Sequence, residues 1–120
     1  MTDNISRLYR LNNIDKVFYV SDNVFEDGYD LNSIKEDYPP FTDTKQLELI
    51  KWISLNVRYM WNYIGQTVKD TWVLAIDYTQ IFKFKSCEHT DFSQALAGLV
   101  CELWEDLTDE QREEVRGILQ

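Results

Sequence analysis

Apolar residues recur at steps of three and four between positions 91 and 106. Phe92, Ala95, Leu96, Leu99, Val100, Leu103 and Trp104 line one side of a helix there. Asp91 stands three residues before Gln94, the spacing of a capping pair, so the helix is expected to begin at that point. Thr108 stands three before Gln111, with Asp109 and Glu110 between them. This predicts a second helix over 109–119 whose first acids oppose the positive end of the helix dipole. Val115, Ile118 and Leu119 give that helix a thin apolar stripe, so the C-terminal third reads as a helical hairpin.

A further helix is expected over 43–64, where Leu47, Ile50, Ile53, Val57, Trp61 and Ile64 fall on one face. Asp43 and Gln46 are placed to cap its start and Gly65 to end it. Its second half is open to another reading, because R-Y-M-W-N-Y also suits a strand. Before it, D-Y-P-P-F is extended, since proline drives its predecessor out of helical geometry. A proline pair also suits a Pro-recognising partner, with a stiff lead-in to the helix as the plainer account. Period-two alternation predicts strands at 71–78 (T-W-V-L-A-I-D-Y) and 80–85 (Q-I-F-K-F-K), joined as an antiparallel hairpin with one wet face. K-V-F-Y-V at 16–20 predicts another strand, with S-D-N as a turn after it. The expected architecture is a single α+β domain over residues 1–120: a small antiparallel sheet with helices packed on it.

Composition agrees with a folded domain. Of the 120 residues 44% are hydrophobic and 14% aromatic, with four glycines and two prolines. No run of apolar residues is long enough for a membrane helix, and M-T-D-N-I-S-R-L-Y-R lacks a signal-peptide core. Two cysteines make no disulfide framework, which fits a reducing cytoplasm. The net charge of −9 is unevenly spread. Residues 22–43 carry seven acids against Lys35, and residues 86–120 carry nine against Arg112 and Arg116. Residues 44–85 hold six bases and three acids, so a mildly basic middle separates two acidic blocks. Such a field repels nucleic-acid backbones and favours cationic partners.

Tests for chemistry return little. Cys87, Glu88, His89 and Asp91 sit together in S-C-E-H-T-D, read as a loop at a helix start, with Cys101 as a small core residue. One histidine and two cysteines are too few for a zinc site, and no orienting partner supports a Cys–His nucleophile. The glycines, at 28, 65, 98 and 117, have no phosphate-loop spacing. Aligning Gly28 as the turn glycine of a calcium loop puts Phe25 where an oxygen ligand is required. No metal, cofactor or catalytic residue is expected, and the chain is read as a non-enzyme.

The densest feature is E-L-W-E-D-L-T-D-E-Q-R-E-E-V at 102–115, which holds seven carboxylates: Glu102, Glu105, Asp106, Asp109, Glu110, Glu113 and Glu114. Each has a structural account, as solvated face, dipole complement or partner of Arg112 or Arg116. Yet like charges four apart weaken a helix, and two acidic blocks exceed what capping requires. A second patch is Asp22, Glu26, Asp27 and Asp30. Trp52, Tyr59 and Tyr63 lie off the apolar stripe of the 43–64 helix, where they suit either interface anchors or a generous core.

The run Q-L-E-L-I-K-W-I, then a hairpin, then D-F-S-Q-A-L-A-G-L-V-C-E-L-W-E-D-L-T-D-E-Q-R-E-E-V-R-G-I-L resembles small accessory proteins encoded by phages and prophages. The likeness covers about 42–120 and is one of texture, with no diagnostic motif and no residue to carry over. It implies a host-takeover or counter-defence role, exerted without catalysis by occluding a host protein or sequestering a signalling nucleotide. The expectation is therefore a cytoplasmic, phage-derived acidic protein. Its carboxylates would cover the basic, nucleic-acid-binding site of a bacterial defence or regulatory protein, without touching nucleic acid or membrane itself. A different class is a nucleotide-sequestering homo-oligomer that uses Arg58, Lys69, Lys83 and Lys85 for phosphates and Tyr59, Trp61 or Trp72 for stacking. A third is a virion assembly subunit.

Overall fold

A computed structural model describes residues 3–20, 34–56, 59–66, 69–78 and 84–120, leaving aside the side chains of 19–20, 34–35, 59–64, 77–78 and 84. The order is α1 (Asn4–Leu11), β1 (Val17–Val20), β2 (Ile34–Asp37), α2 (Asp43–Asn56), β3 (Tyr59–Gln66), β4 (Trp72–Tyr78), β5 (Phe84–His89), α3 (Phe92–Leu103), a 3-10 turn (Trp104–Asp106) and α4 (Asp109–Leu119). The class is α+β, as the sequence predicts. The strands form two antiparallel sheets rather than one: β1 pairs with β2, while β3-β4-β5 form a separate three-stranded sheet.

The centre of the molecule is α3. Its predicted face is buried, but so are Ala97, Gly98 and Cys101 on the other side, because α1 packs there. A helix apolar all round belongs inside a core, and here β4 and β5 cover one flank and α1 another. The approach is close because position 98 is glycine. A Cβ there would collide with Cys87 Sγ of β5 and come within 2.7 Å of Asn4 Nδ2 of α1. Leu74, Ala75 and Ile76 of β4 are buried, and Trp72 meets Phe92 of α3 edge to face at 5.2 Å. Val115 and Leu119 close the core from α4.

α1 has no counterpart among the predicted elements. Its start is held twice. Asp3 Oδ1 accepts from Ser6 N at 2.7 Å, which lowers the Asp3 pKa, and Gln94 Oε1 accepts from Asn4 N at 2.8 Å and Ile5 N at 3.2 Å. Gln94 thus caps α1 rather than its own helix, whose N-cap Asp91 takes Ser93 N. The end of α1 is a Schellman motif. Asn13 adopts the left-handed conformation at φ 56°, Ile14 N donates to Tyr9 O, and Asn13 N donates to Arg10 O. Leu8 and Tyr9 enter the core, with Tyr9 stacked on Tyr38 at 5.4 Å.

The 43–64 helix is corrected. α2 ends at Asn56, and residues 59–66 form β3, paired with β4 from Tyr59↔Tyr78 to Gln66↔Trp72 with an irregularity between Trp61 and Tyr63. Y-M-W-N-Y-I carries aromatic and β-branched side chains that fit a pleated surface, and a ready partner in β4 overrides the helical spacing. Gly65 lies within this strand. The inward face of α2 is Gln46, Leu49, Trp52 and Ile53, so Leu47, expected inside, is 52% exposed. The start of α2 is served by Thr42, whose Oγ1 accepts from Lys45 N, while Gln46 Nε2 donates to Phe41 O. The last strand runs further than expected: β5 spans Phe84–His89, so S-C-E-H is strand rather than loop. Residues 80–83 of the predicted strand, and the S-D-N turn, lie outside the described residues. The capping box of Thr108 and Gln111 is formed, as predicted. Among the described residues no helix is long and apolar enough to cross a membrane.

Candidate functional site

The acidic stretch folds into a corner: the end of α3, the 3-10 turn and the first two turns of α4. The corner is stiffened from inside. Arg112 donates through Nε (3.1 Å) and Nη2 (2.9 Å) to the carbonyl of Trp104, and its guanidinium carbon stands 5.3 Å from the centre of the Trp104 ring. The same carbonyl accepts Leu107 N at 3.2 Å, so one side chain of α4 joins the backbone bond that closes the 3-10 turn.

The seven carboxylates divide by what they touch. Glu114 is taken: its Oε2 accepts the indole N–H of Trp52 at 2.7 Å, joining α2 to α4. Trp52 is 7% exposed, so this residue, an anchor candidate in the sequence, belongs to the core. Asp106 lies 3.8 Å from Lys85 Nζ, and Asp109 lies 3.9 Å from Arg112 Nη1. Glu102, Glu105, Glu110 and Glu113 are exposed, and among the described residues they accept no hydrogen bond and form no ion pair. These four remain as free surface charge. The second acidic patch, Asp22, Glu26, Asp27 and Asp30, lies outside the described residues.

Of the basic and aromatic set predicted for a nucleotide, only the side chains of Lys69, Lys85 and Trp72 are among the described residues. Lys85 faces Asp106, and Trp72 is half-buried against Phe92. Lys69 is exposed beside the β3–β4 turn. Tyr59 and Trp72 sit at opposite ends of the β3–β4 ladder, roughly 20 Å apart at strand rise. No single base stacks on both. Arg58 and Lys83, and the side chains of Tyr59, Trp61 and Tyr63, lie outside the described residues.

The cysteines and histidine have structural partners. Asn4 Nδ2 reaches Cys87 Sγ at 3.7 Å, Cys101 Sγ lies 3.8 Å from the Asn4 carbonyl, and His89 Nδ1 accepts from Asp91 N at 3.0 Å in the turn into α3. Burial, aided by Glu102, pushes the Cys87 thiol up, and burial pushes Cys101 up to about 11. Both effects favour the thiol over the thiolate that a nucleophile requires. Among the described residues no three His, Cys, Asp or Glu side chains gather as a metal site.

Two clefts flank Trp104, and Leu11 lines both. The smaller, about 190 Å³, holds Arg7 and Lys85 opposite Glu102 and Glu105. The larger, about 250 Å³, lies between the Schellman end of α1 (Asn12, Asn13) and one stripe of α4 (Asp109, Arg112, Glu113, Arg116). Asn12 is 3% exposed; its Nδ2 donates to Leu8 O at 2.8 Å, while its Oδ1 is buried without a partner among the described residues. Arg116 Nε is likewise buried and unpaired. Sequence reasoning missed this cleft. Its only signals were acid and arginine at i, i+3, i+4 and i+7 along 109–116, and the Asn12–Asn13 pair. Searches of protein-family models, curated proteins and solved structures give no match to the chain.

Proposed function

We propose that the chain is a non-enzymatic acidic binding protein whose α3–α4 corner docks on a basic surface of another protein. The observation that supports this reading is the set Glu102, Glu105, Glu110 and Glu113, exposed and without an internal partner, on a corner fixed by the Thr108–Gln111 capping box and the Arg112 clamp. A fixed backbone confines the ordering cost of binding to the carboxylate side chains themselves, and desolvated pairs to Arg or Lys add specificity and association rate. The chain's overall charge of −9 steers cationic partners in the same direction. The likeness to phage accessory proteins gives the partner its class: a bacterial defence or regulatory protein whose nucleic-acid site is covered.

The test is capture of proteins from bacterial lysate by the tagged chain, with mass spectrometry, beside the variant Glu102→Lys, Glu105→Lys, Glu110→Lys and Glu113→Lys. Asp106, Asp109 and Glu114 are left in place because they have internal contacts. The expected result is a basic nucleic-acid-handling protein bound at low salt, weakened as the Debye length shrinks below ~10 Å, and absent with the variant, whose melting stays cooperative. A folded variant that holds the same partner as tightly would overturn the reading.

A further inference from the structure

Among the described residues the two sheets end in four outer strands, β1, β2, β3 and β5, and three of these carry features that discourage pairing. β2 is I-K-E-D, with Pro39 and Pro40 just beyond it. β5 holds Lys85 and Glu88, and the ladder of β3 is interrupted between Trp61 and Tyr63. Charge, proline and irregularity all protect an exposed edge from further strands. β1 has none of them. Val17–Val20 is V-F-Y-V, uncharged and in unbroken register with β2 on one side.

In an antiparallel pair alternate residues turn their N–H and C=O towards the partner, so every second residue of β1 presents both groups outwards. Among the described residues no hydrogen bond from outside the ribbon reaches them. Ile14 before β1 and Tyr38 after β2 tie the base of the ribbon to the core. Beyond the base, Val17 is 47% exposed and Phe18 76%. Neighbours on a strand point to opposite faces, so the ribbon is wet on both. Two strands without a covered face are marginal in water, and added strands support them.

We propose that β1 pairs antiparallel with β1 of a second copy across a two-fold axis, giving a four-stranded sheet in the order β2-β1-β1-β2. Charge and symmetry select this occupant. An isologous contact asks only that one edge match itself, and Val17–Val20 opposes no like charges when it does so. With the axis at Val17, Phe18 or Tyr19, each residue shares a face with its counterpart. Phe18 then comes opposite or diagonal to Phe18 of the copy, within reach of an aromatic pair. At −9 per chain the two copies repel, so salt strengthens this contact, the reverse of its effect on the acidic corner. The two surfaces share no residue, so either reading fails without the other.

The test is sedimentation equilibrium of the full chain at ~0.15 M and ~1 M salt, with amide exchange followed by NMR. The expected result is a monomer–dimer equilibrium with Kd below about 1 mM at the higher salt and weaker at the lower. Alternate amides of Val17–Val20 should exchange more slowly as the dimer fills. Phe18→Lys changes an exposed side chain, so its melting stays cooperative, and it should weaken the dimer at least about tenfold. Leu55→Gln, at an exposed leucine of α2, should leave the dimer unchanged. A chain that stays monomeric at both salts overturns the proposal. So does a dimer that Leu55→Gln abolishes and Phe18→Lys does not. Slowed exchange at Val17–Val20 that needs a protein captured from lysate, the chain alone being monomeric, gives the edge to a foreign strand and overturns it as well.

Discussion

Replacing Gly98 by Ala sets two local effects against each other. In an exposed helix interior the change is favourable by about 0.8–1.0 kcal/mol, because glycine carries the larger backbone entropy. In α3 the new methyl meets Cys87 Sγ head-on, and lies 2.7 Å from Asn4 Nδ2 and 3.1 Å from Asn4 Cγ. Both neighbours are committed. Asn4 Nδ2 donates to Gln94 O at 3.0 Å, and Cys87 sits on a strand held by β4. Overpacking of this kind costs about 1–3 kcal/mol, and displacing the Asn4 amide leaves a part-buried donor unpaired for a further cost of similar order. The net expectation is a loss of roughly 1–5 kcal/mol after the propensity gain. Urea unfolding followed by circular dichroism should show a lower midpoint with an unchanged slope. Heating should show a fall of about 4 °C or more for each kcal/mol. A double-mutant cycle with Cys87→Ala locates the cause: without Sγ the penalty at position 98 should shrink by about 0.5 kcal/mol or more. A Gly98→Ala chain as stable as the parent, or a penalty equal in both backgrounds, would refute the close approach of α3 to β5.

Two further perturbations probe the frame around the site. The Tyr9 hydroxyl is buried without a partner among the described residues, and burial pushes its pKa from 10.0 up to about 12. The stability tied to the neutral phenol is therefore fully present below pH 10 and lost as pH rises towards 12, following the Cys101 window from 9.0 to about 11. Tyr9→Phe keeps the stacked ring, so urea midpoints should equal or exceed the parent's, by up to about 1–3 kcal/mol, with less alkaline loss above pH 10; a clear destabilisation would show that the hydroxyl has a partner. Glu114→Ala removes the acceptor of the Trp52 indole and should cost about 1.5–3 kcal/mol, whereas Glu113→Ala on the same helix should stay within about 0.5 kcal/mol. Equal effects at the two positions would contradict the α2–α4 link.

What the sequence made legible follows from how local each signal was. α3 and α4 carried their own caps and their own apolar stripes, so their starts were readable within a residue, while the last three residues of the 91–106 helix tighten into the 3-10 turn. β4 showed a clean alternation. β3 and the second half of the 43–64 helix had one spacing compatible with two structures, and only the partner strand decides between them. α1 was hidden because eight residues with two core positions barely rise above background; the signals were Asp3 at its start and Asn13 followed by Ile14 at its end. At the site, the four free carboxylates were visible as composition. The assignment of Glu114 to Trp52, of Asp106 to Lys85, and of Arg112 to a backbone carbonyl depends on tertiary contacts that no local pattern encodes.

Asn4 and Gln94 are ninety positions apart, and their contact governs the order in which the chain becomes a protein. Eight residues cannot hold a helix in water by themselves, so α1 has no lasting shape before α3 exists to receive it. During synthesis, Leu8 and Tyr9 emerge ahead of α3 and stay without its cover until the segment through Cys101 has followed, although Tyr38 and Phe41 can reach Tyr9 sooner. Closing so long a loop is slow in comparison with local helix formation. The nascent chain therefore passes through an interval in which the α1 segment lacks its α3 cover and is open to chaperones, to proteases and to neighbouring chains.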